Sequence, residues 1–175
     1  MSNRYKPHLW ILPEDELFVE IARGFLGHLY LKDIRVSIKV LDSARGWKNA
    51  LKKIQKDEYL LRLFPERRLV VLMDFDQFEN RREYADPFIP DDLKDRVYIL
   101  GVENGEAEDF KKDCGMMSYE DIGMSLAKEC NAEPNNGHPK VWSMERLQHN
   151  AAVIARLASD VRAKKIVCFH NDFTP

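Results

Sequence analysis

Asp74-Phe75-Asp76 stands directly after an aliphatic run, Leu69 to Met73. In extended backbone, residues two apart point the same way. Both carboxylates can then face one point beyond the edge of a sheet, where hard oxygen ligands suit Mg²⁺ or Mn²⁺. The bland alternative is a surface turn, which aspartate also solvates and starts. A second acidic group, Glu14 with Asp15 and Glu16, follows the apolar stretch His8 to Leu12. It reads either as ordinary negative charge at a helix N-terminus or as a third carboxylate for the same site. A further cluster, Glu103-Asn104-Gly105-Glu106-Ala107-Glu108-Asp109, follows Val97 to Val102. One metal site cannot use all of its side chains, and Glu106 and Asp109 are the candidates. Three acidic groups after three successive strands suit metal-assisted phosphoryl transfer, in which the ions offset phosphate charge and bound water becomes the nucleophile.

Other chemistry has less support. The histidines His8, His28, His138, His149 and His170 are scattered, and Cys130 with His138 lacks a second pair of ligands for zinc. His28 and His149 fall on expected helices and read as structural residues. Cys114 has no assigned base, so a thiol nucleophile is not indicated. There is neither a Walker-type phosphate loop nor a dinucleotide fingerprint. Trp47, between Arg45 and Lys48, can stack on a base or simply pack the start of a helix.

The elements that position these residues follow from periodicity. His8 to Leu12 ends at Pro13, after which Leu17, Ile21, Phe25 and Leu29 recur every fourth position: a strand, then a helix. Ile34, Val36, Ile38 and Val40 alternate with polar residues, as an edge strand with one wet face does. Ser43 to Lys48 turns the chain into a helix with Ala50, Leu51, Ile54 and Leu61 buried. Leu69 to Met73 is apolar throughout, as a strand covered on both faces is, and Val97 to Val102 is a fourth strand. Ser118-x-x-Asp121 resembles a capping box opening a helix through Ala127. Asn131 to Pro139 reads as a loop, Ser143 caps a longer helix running to Val161, and Ile166 to Phe169 is a last short strand.

This alternation predicts an α/β fold with a mainly parallel central sheet of 4–5 strands flanked by helices. If the second strand is the exposed edge, right-handed crossovers place the third strand on the other side of the first. The chain order then reverses between strands one and three, and Glu14, Asp74 and Asp76 converge in the crevice where open α/β sheets bind ligands.

The chain has 175 residues, 45% of them apolar, and a formal charge of −2 from 27 basic and 29 acidic residues. That length suits one domain over 1–175, and the charge balance excludes holding nucleic acid by bulk charge. The charge is nevertheless unevenly distributed. Arg45 to Arg68 carries eight basic and three acidic residues, and Asp74 to Asp121 six basic and fifteen acidic. The first is a candidate phosphate track through Arg45, Trp47, Lys48 and Lys52, and the second begins with the carboxylates. Three cysteines without a Cys-x-x-Cys pair fit a reducing cytoplasm. No membrane span or apolar leader is expected.

The order of parts resembles a TOPRIM domain: Trp10-Ile11-Leu12-Pro13-Glu14 opening a helix, Arg45-Gly46 after the second strand, Leu72-Met73-Asp74-Phe75-Asp76 after the third, and an acidic helix start after the fourth. The resemblance covers residues 9–113, leaving 114–175 as a helical C-terminal extension. It implies a Rossmann-like TOPRIM fold, with Glu14 as the family's glutamate and Asp74 and Asp76 as its Asp-x-Asp pair. The Glu106 to Asp109 run looks like the added acidic motif of the overcoming-lysogenization-defect (OLD) nuclease branch. By that resemblance Glu14, Asp74, Asp76, Glu106 and a late lysine, Lys164, are expected to be catalytic, and Glu14, Asp74, Asp76 and Asp109 to hold Mg²⁺ or Mn²⁺. Two features depart from the pattern: Asp15 replaces the usual glycine after the glutamate, and Lys164 matches by order alone. The implied activity is a metal-dependent nuclease, with DNA favoured over RNA, in phage defence or repair. An ATPase partner on another chain and an oligomer are further expectations. The rival is a non-catalytic interaction module or regulatory subunit that contacts a basic partner through its acidic edge. A Mg²⁺-dependent phosphatase would carry its aspartate pair after the first strand, whereas this pair follows the third.

Overall fold

The computed structural model describes residues 5–28, 38–76, 81–103, 107–131 and 140–167, with the side chains of residues 76, 81, 82 and 107 outside that description. The elements in chain order are β1 (His8–Pro13), α1 (Glu16–His28), β2 (Ile38–Val40), α2 (Trp47–Gln55), β3 (Arg67–Asp76), α3 (Arg81–Ala85), β4 (Val97–Glu103), α4 (Ala107–Asp113), α5 (Tyr119–Cys130), α6 (Glu145–Gln148) and α7 (Ala151–Ser159). All strand pairings are parallel and the order is β2-β1-β3-β4. β2 is therefore an edge strand, with β4 at the other edge, and the chain order reverses between β1 and β3, as the right-handed crossover argument predicts. Of the expected strand from Ile34 to Val40, only Ile38–Val40 falls within the described residues.

Helices cover both faces of the sheet, which explains why β3 shows no polar alternation. On one face Leu69, Val71, Met73 and Phe75 pack with Val97, Ile99 and the α2 residues Ala50, Leu51 and Ile54. On the other, Leu9, Ile11, Val70 and Tyr98 meet residues of α1, α5 and α7. Burying one such aliphatic side chain stabilises the fold by roughly 1.5–3 kcal/mol. α1 and α5 approach backbone to backbone through two glycines. A Cβ on Gly24 would lie 2.0 Å from the Glu120 carbonyl oxygen, and one on Gly123 2.0 Å from that of Ile21.

Ser118 caps α5 as expected, and Asp121 returns a bond to its hydroxyl. Oγ of Ser118 accepts the Asp121 N–H at 3.1 Å and donates to the Asp121 carboxylate at 2.6 Å. The long helix from Ser143 to Val161 does not form. The Ser143 hydroxyl donates to the Lys140 carbonyl instead of capping, and the segment is split into α6 and α7. At the break, the buried Asn150 turns its carboxamide to β4, donating to the Gly101 carbonyl at 2.7 Å and accepting the Gly101 N–H at 3.0 Å. Those bonds satisfy an edge backbone that a further strand would otherwise pair. Val161, expected on the helix's buried stripe, lies beyond α7 and is exposed. Ile166 has helical dihedrals after the 3-10 turn Ala163–Lys165 and Val167 makes a β-bridge, so of the expected last strand only Val167 pairs within the described residues, and Cys168 and Phe169 lie outside them.

β3 also begins earlier than its aliphatic run suggests, with two buried arginines. The Arg67 guanidinium lies 3.5 Å from the Trp10 ring centre and 4.0 Å from that of Phe64, and it donates to the Tyr59 carbonyl. Burial pulls its pKa down to about 10, which leaves it charged at neutral pH. Arg68 pairs with Asp160 at 2.8 Å, and the same carboxylate oxygen accepts the Tyr98 hydroxyl at 2.9 Å. The basic track expected from Arg45 to Arg68 therefore loses its last two members to the interior. Stacking and paired hydrogen bonds offset the desolvation of these charges.

Candidate functional site

Glu14 is the first residue past β1, and its backbone is held on both sides. Its N–H donates to the Leu72 carbonyl at 2.8 Å, and its carbonyl accepts the Gly46 N–H at 3.1 Å. The side chain is buried. Oε1 accepts the Trp47 N–H at 2.9 Å and Oε2 accepts the Asp74 N–H at 2.8 Å. Gly46, the N-cap of α2, makes no side-chain capping bond, and the Glu14 carboxylate supplies one from another strand. The positive end of the α2 dipole favours that negative charge. One carboxylate thus joins β1, β3 and the start of α2.

Asp74 stands next to it across the β1/β3 boundary and is partly buried. The β3/β4 register shifts between Asp74, opposite Val102, and Asp76, opposite Glu103, so Phe75 is the extra residue of a bulge. Bulges re-aim side chains at strand ends. Here Phe75 is buried over Gly101, whose absent Cβ would lie 2.2 Å from the ring. The fold therefore brings Glu14 and Asp74 together and ends β3 on Asp76, whose side chain lies outside the described residues. Asp15 occupies the position where the resemblance expects glycine. It caps α1, its carboxylate accepting the Phe18 N–H at 3.2 Å.

Glu106 lies outside the described residues. Asp109, on α4, is ion-paired with Lys112 at 2.7 Å. Lys164 is exposed in the turn after Asp160, to whose carbonyl its N–H donates at 2.9 Å. Asp160 holds Arg68 at the start of β3, about 20 Å of strand from Asp74 at ~3.3 Å per residue. The structure thus places Lys164 at the opposite end of the sheet, and the order-based match does not bring it to the carboxylates.

Arg45 and Gly46 take positive φ values, 59° and 110°, and bend the chain into α2. Arg45, Lys48 and Lys52 are exposed. Trp47 packs edge-on against Tyr84 of α3 at 5.3 Å, and Tyr84 contacts Phe88 at 5.4 Å. Tyr84 is about half exposed. Sequence reading singled out Trp47 but not its partners, because the two aromatics follow β3 in a polar stretch without strong periodicity. It also passed over the pair at the end of β4. Nδ1 of His149 lies 3.2 Å from a Glu103 carboxylate oxygen, its ring edge-on to Phe75. Arg146 donates to the Glu103 carbonyl and pairs with Asp113 at 2.6 Å.

Burial pushes the Cys114 and Cys130 thiols up to about 12, which removes both as nucleophiles at neutral pH. The hard oxygen donors of Glu14 and Asp74 are chemically suited to Mg²⁺ or Mn²⁺. Among the described residues, no group of three or more His, Cys, Asp and Glu side chains is gathered closely enough to hold a metal ion. A complete ligand set therefore needs Asp76 or another group beyond those described. No helix among the described residues is long and apolar enough to cross a membrane.

What these features define is a class: an all-parallel α/β sheet with carboxylates at its switch point, where such sheets bind ligands. Compared with known proteins, the chain matches no family model, no curated protein and no solved structure.

Proposed function

We propose that the protein is a TOPRIM-like, Mg²⁺- or Mn²⁺-dependent nuclease of the OLD type, acting on nucleic-acid phosphodiesters in phage defence or DNA repair. The observation that carries the reading is the meeting of Glu14 and Asp74 at the ends of neighbouring parallel strands, with Asp76 two residues on. Glu14, Asp74 and Asp76 would hold the metal, which when bound offsets phosphate charge and lowers the pKa of a bound water. Arg45, Lys48 and Lys52, beside the site on α2 and its entry turn, would hold the phosphate backbone, with DNA as the preferred polymer. An ATPase partner in trans and self-association remain part of this reading by resemblance.

One observation favours the second reading, a non-catalytic interaction module. Both Glu14 oxygens already accept backbone N–H groups, so the carboxylate has a structural role without any metal. The deciding experiment is cleavage of labelled single-stranded and duplex DNA and RNA in Mg²⁺ or Mn²⁺, with Asp74→Asn as control. Cleavage lost in the variant supports the nuclease. No cleavage by the wild type, together with no metal-induced rise in Tm, supports the module.

A further inference from the structure

The surface beside the carboxylates is basic along α2. α2 carries Lys48, Lys52 and Lys53, with Lys56 at its C-terminal cap, and contains no acidic residue. Lys48, Lys52 and Lys56 recur at every fourth position, on one face of the helix. Nζ of Lys48 lies 5.3 Å from the Trp47 ring centre. Trp47 in turn begins the row Trp47, Tyr84, Phe88, in which Tyr84 offers the most exposed ring. The basic strip is thus one helix wide and about 13 Å long at 1.5 Å per residue. Aromatic rings border it on one side.

A duplex presents two phosphate backbones and hides the faces of its bases. A basic strip one helix wide meets only one backbone, and exposed rings have nothing to stack on in an intact helix. A single strand offers both a lone backbone for the lysines and free base faces for the rings. We infer that the polymer recognised at this site is single-stranded nucleic acid, its phosphates running along Lys48, Lys52 and Lys56 and a base stacking on Tyr84 beside Trp47. The inference rests on the reading of the site as a nucleic-acid site and specifies its ligand. Because Trp47 donates its backbone N–H to Glu14, a strand so bound enters the carboxylates from the α2 side.

The test measures binding without chemistry. Anisotropy titrations in EDTA use a fluorescein-labelled 15-nucleotide oligothymidylate and a blunt 15-base-pair duplex, on the full chain. The single strand is expected to bind at least roughly 10-fold more tightly, Tyr84→Ala to lose roughly 10-fold of that affinity, and Tyr84→Phe to regain it, in keeping with base stacking. Lys52→Ala is expected to flatten the salt dependence of binding by about one phosphate contact. Circular dichroism confirms that each variant is folded. Equal or tighter binding of the duplex, or full affinity in folded Tyr84→Ala, overturns the inference. Failure here is separable from failure of the nuclease reading. Cleavage of duplex without single-strand preference refutes only the inference, whereas Tyr84-dependent single-strand binding without cleavage in Mg²⁺ or Mn²⁺ leaves it standing and refutes the nuclease.

Discussion

The backbone N–H of Asp74 donates to Oε2 of Glu14 over 2.8 Å, so the two acidic residues meet through a structural bond before any ligand is considered. Replacing Glu14 by alanine removes the acceptor for both Asp74 and Trp47 N–H groups. The expected loss is about 2 kcal/mol of stability, a fall in Tm of roughly 4–8 °C for a chain of this size. Thermal unfolding followed by circular dichroism checks this. An unchanged Tm would show that water replaces both bonds without cost.

Asp74 uses its backbone, not its side chain, in that contact. Asp74→Asn is therefore expected to keep Tm within about 2 °C while abolishing metal-dependent cleavage. Millimolar Mn²⁺ should raise the Tm of the wild type, since a ligand that binds only the folded state stabilises it, and should raise that of Asp74→Asn less. Differential scanning calorimetry with and without Mn²⁺ reads both effects.

His8 is buried at the start of β1, edge-on to Phe64. Burial, and then the nearby Arg67 and Lys6 charges, hold its pKa below 6.5. Below pH 6.5 the unfolded chain takes up a proton that the folded imidazole resists, so the unfolded state binds more protons and stability falls as pH drops. The contribution is complete above 6.5 and is lost on acidification through the folded pKa. Urea midpoints at pH 7.5, 6.0 and 5.0 are expected to decline less steeply in His8→Gln than in the wild type.

Asp160 gathers Arg68, Tyr98 and two backbone N–H groups around one carboxylate. Burial alone would raise its pKa; the bonds from Arg68, Ala163 and Tyr98 outweigh it and hold the pKa below 3.8. Its contribution is thus present above pH 3.8 and lost on acidification below it. Asp160→Ala leaves the nearly buried Arg68 uncompensated and is expected to cost about 3–5 kcal/mol. Arg68→Met in the same chain should recover part of that loss. Strict additivity of the two in a double-mutant cycle would count against a coupled pair.

A methyl group on Gly101 would meet the Phe75 ring and the Met73 carbonyl oxygen, 2.6 Å from the added carbon. Gly101→Ala is expected to destabilise by about 1–3 kcal/mol through overpacking. The same shift would disturb the Asn150 bonds that cover the β4 edge, an edge otherwise open to pairing with another chain. Equilibrium unfolding and light scattering at raised temperature measure the two consequences.

Much of the layout is legible in the chain itself. The aliphatic run Leu69 to Met73 announced a strand covered on both faces, and the alternation through Ile38 and Val40 announced an edge. Together with crossover handedness, these imply the order β2-β1-β3 and the meeting of Glu14 with Asp74, and the structure adds β4 beyond β3. Period and handedness are properties of the backbone, so they can be read locally. What only the tertiary structure decided depends on contacts between residues far apart in sequence. Arg67 and Arg68 read as surface charge until Trp10, Phe64 and Asp160 close over them. Asn150 lies inside a continuous helical pattern, and its bonds to Gly101 break that helix because an unpaired strand edge competes for the same amide. Tyr84 joins Trp47 only when α3 packs beside the start of α2, and Lys164 is carried to the far end of the sheet by the bond between Asp160 and Arg68. The sequence by itself determined that Glu14 and Asp74 become neighbours, because they lie at the ends of adjacent parallel strands. Which charges remain exposed around them, and which rings stand beside them, followed from packing, because burial depends on the whole fold.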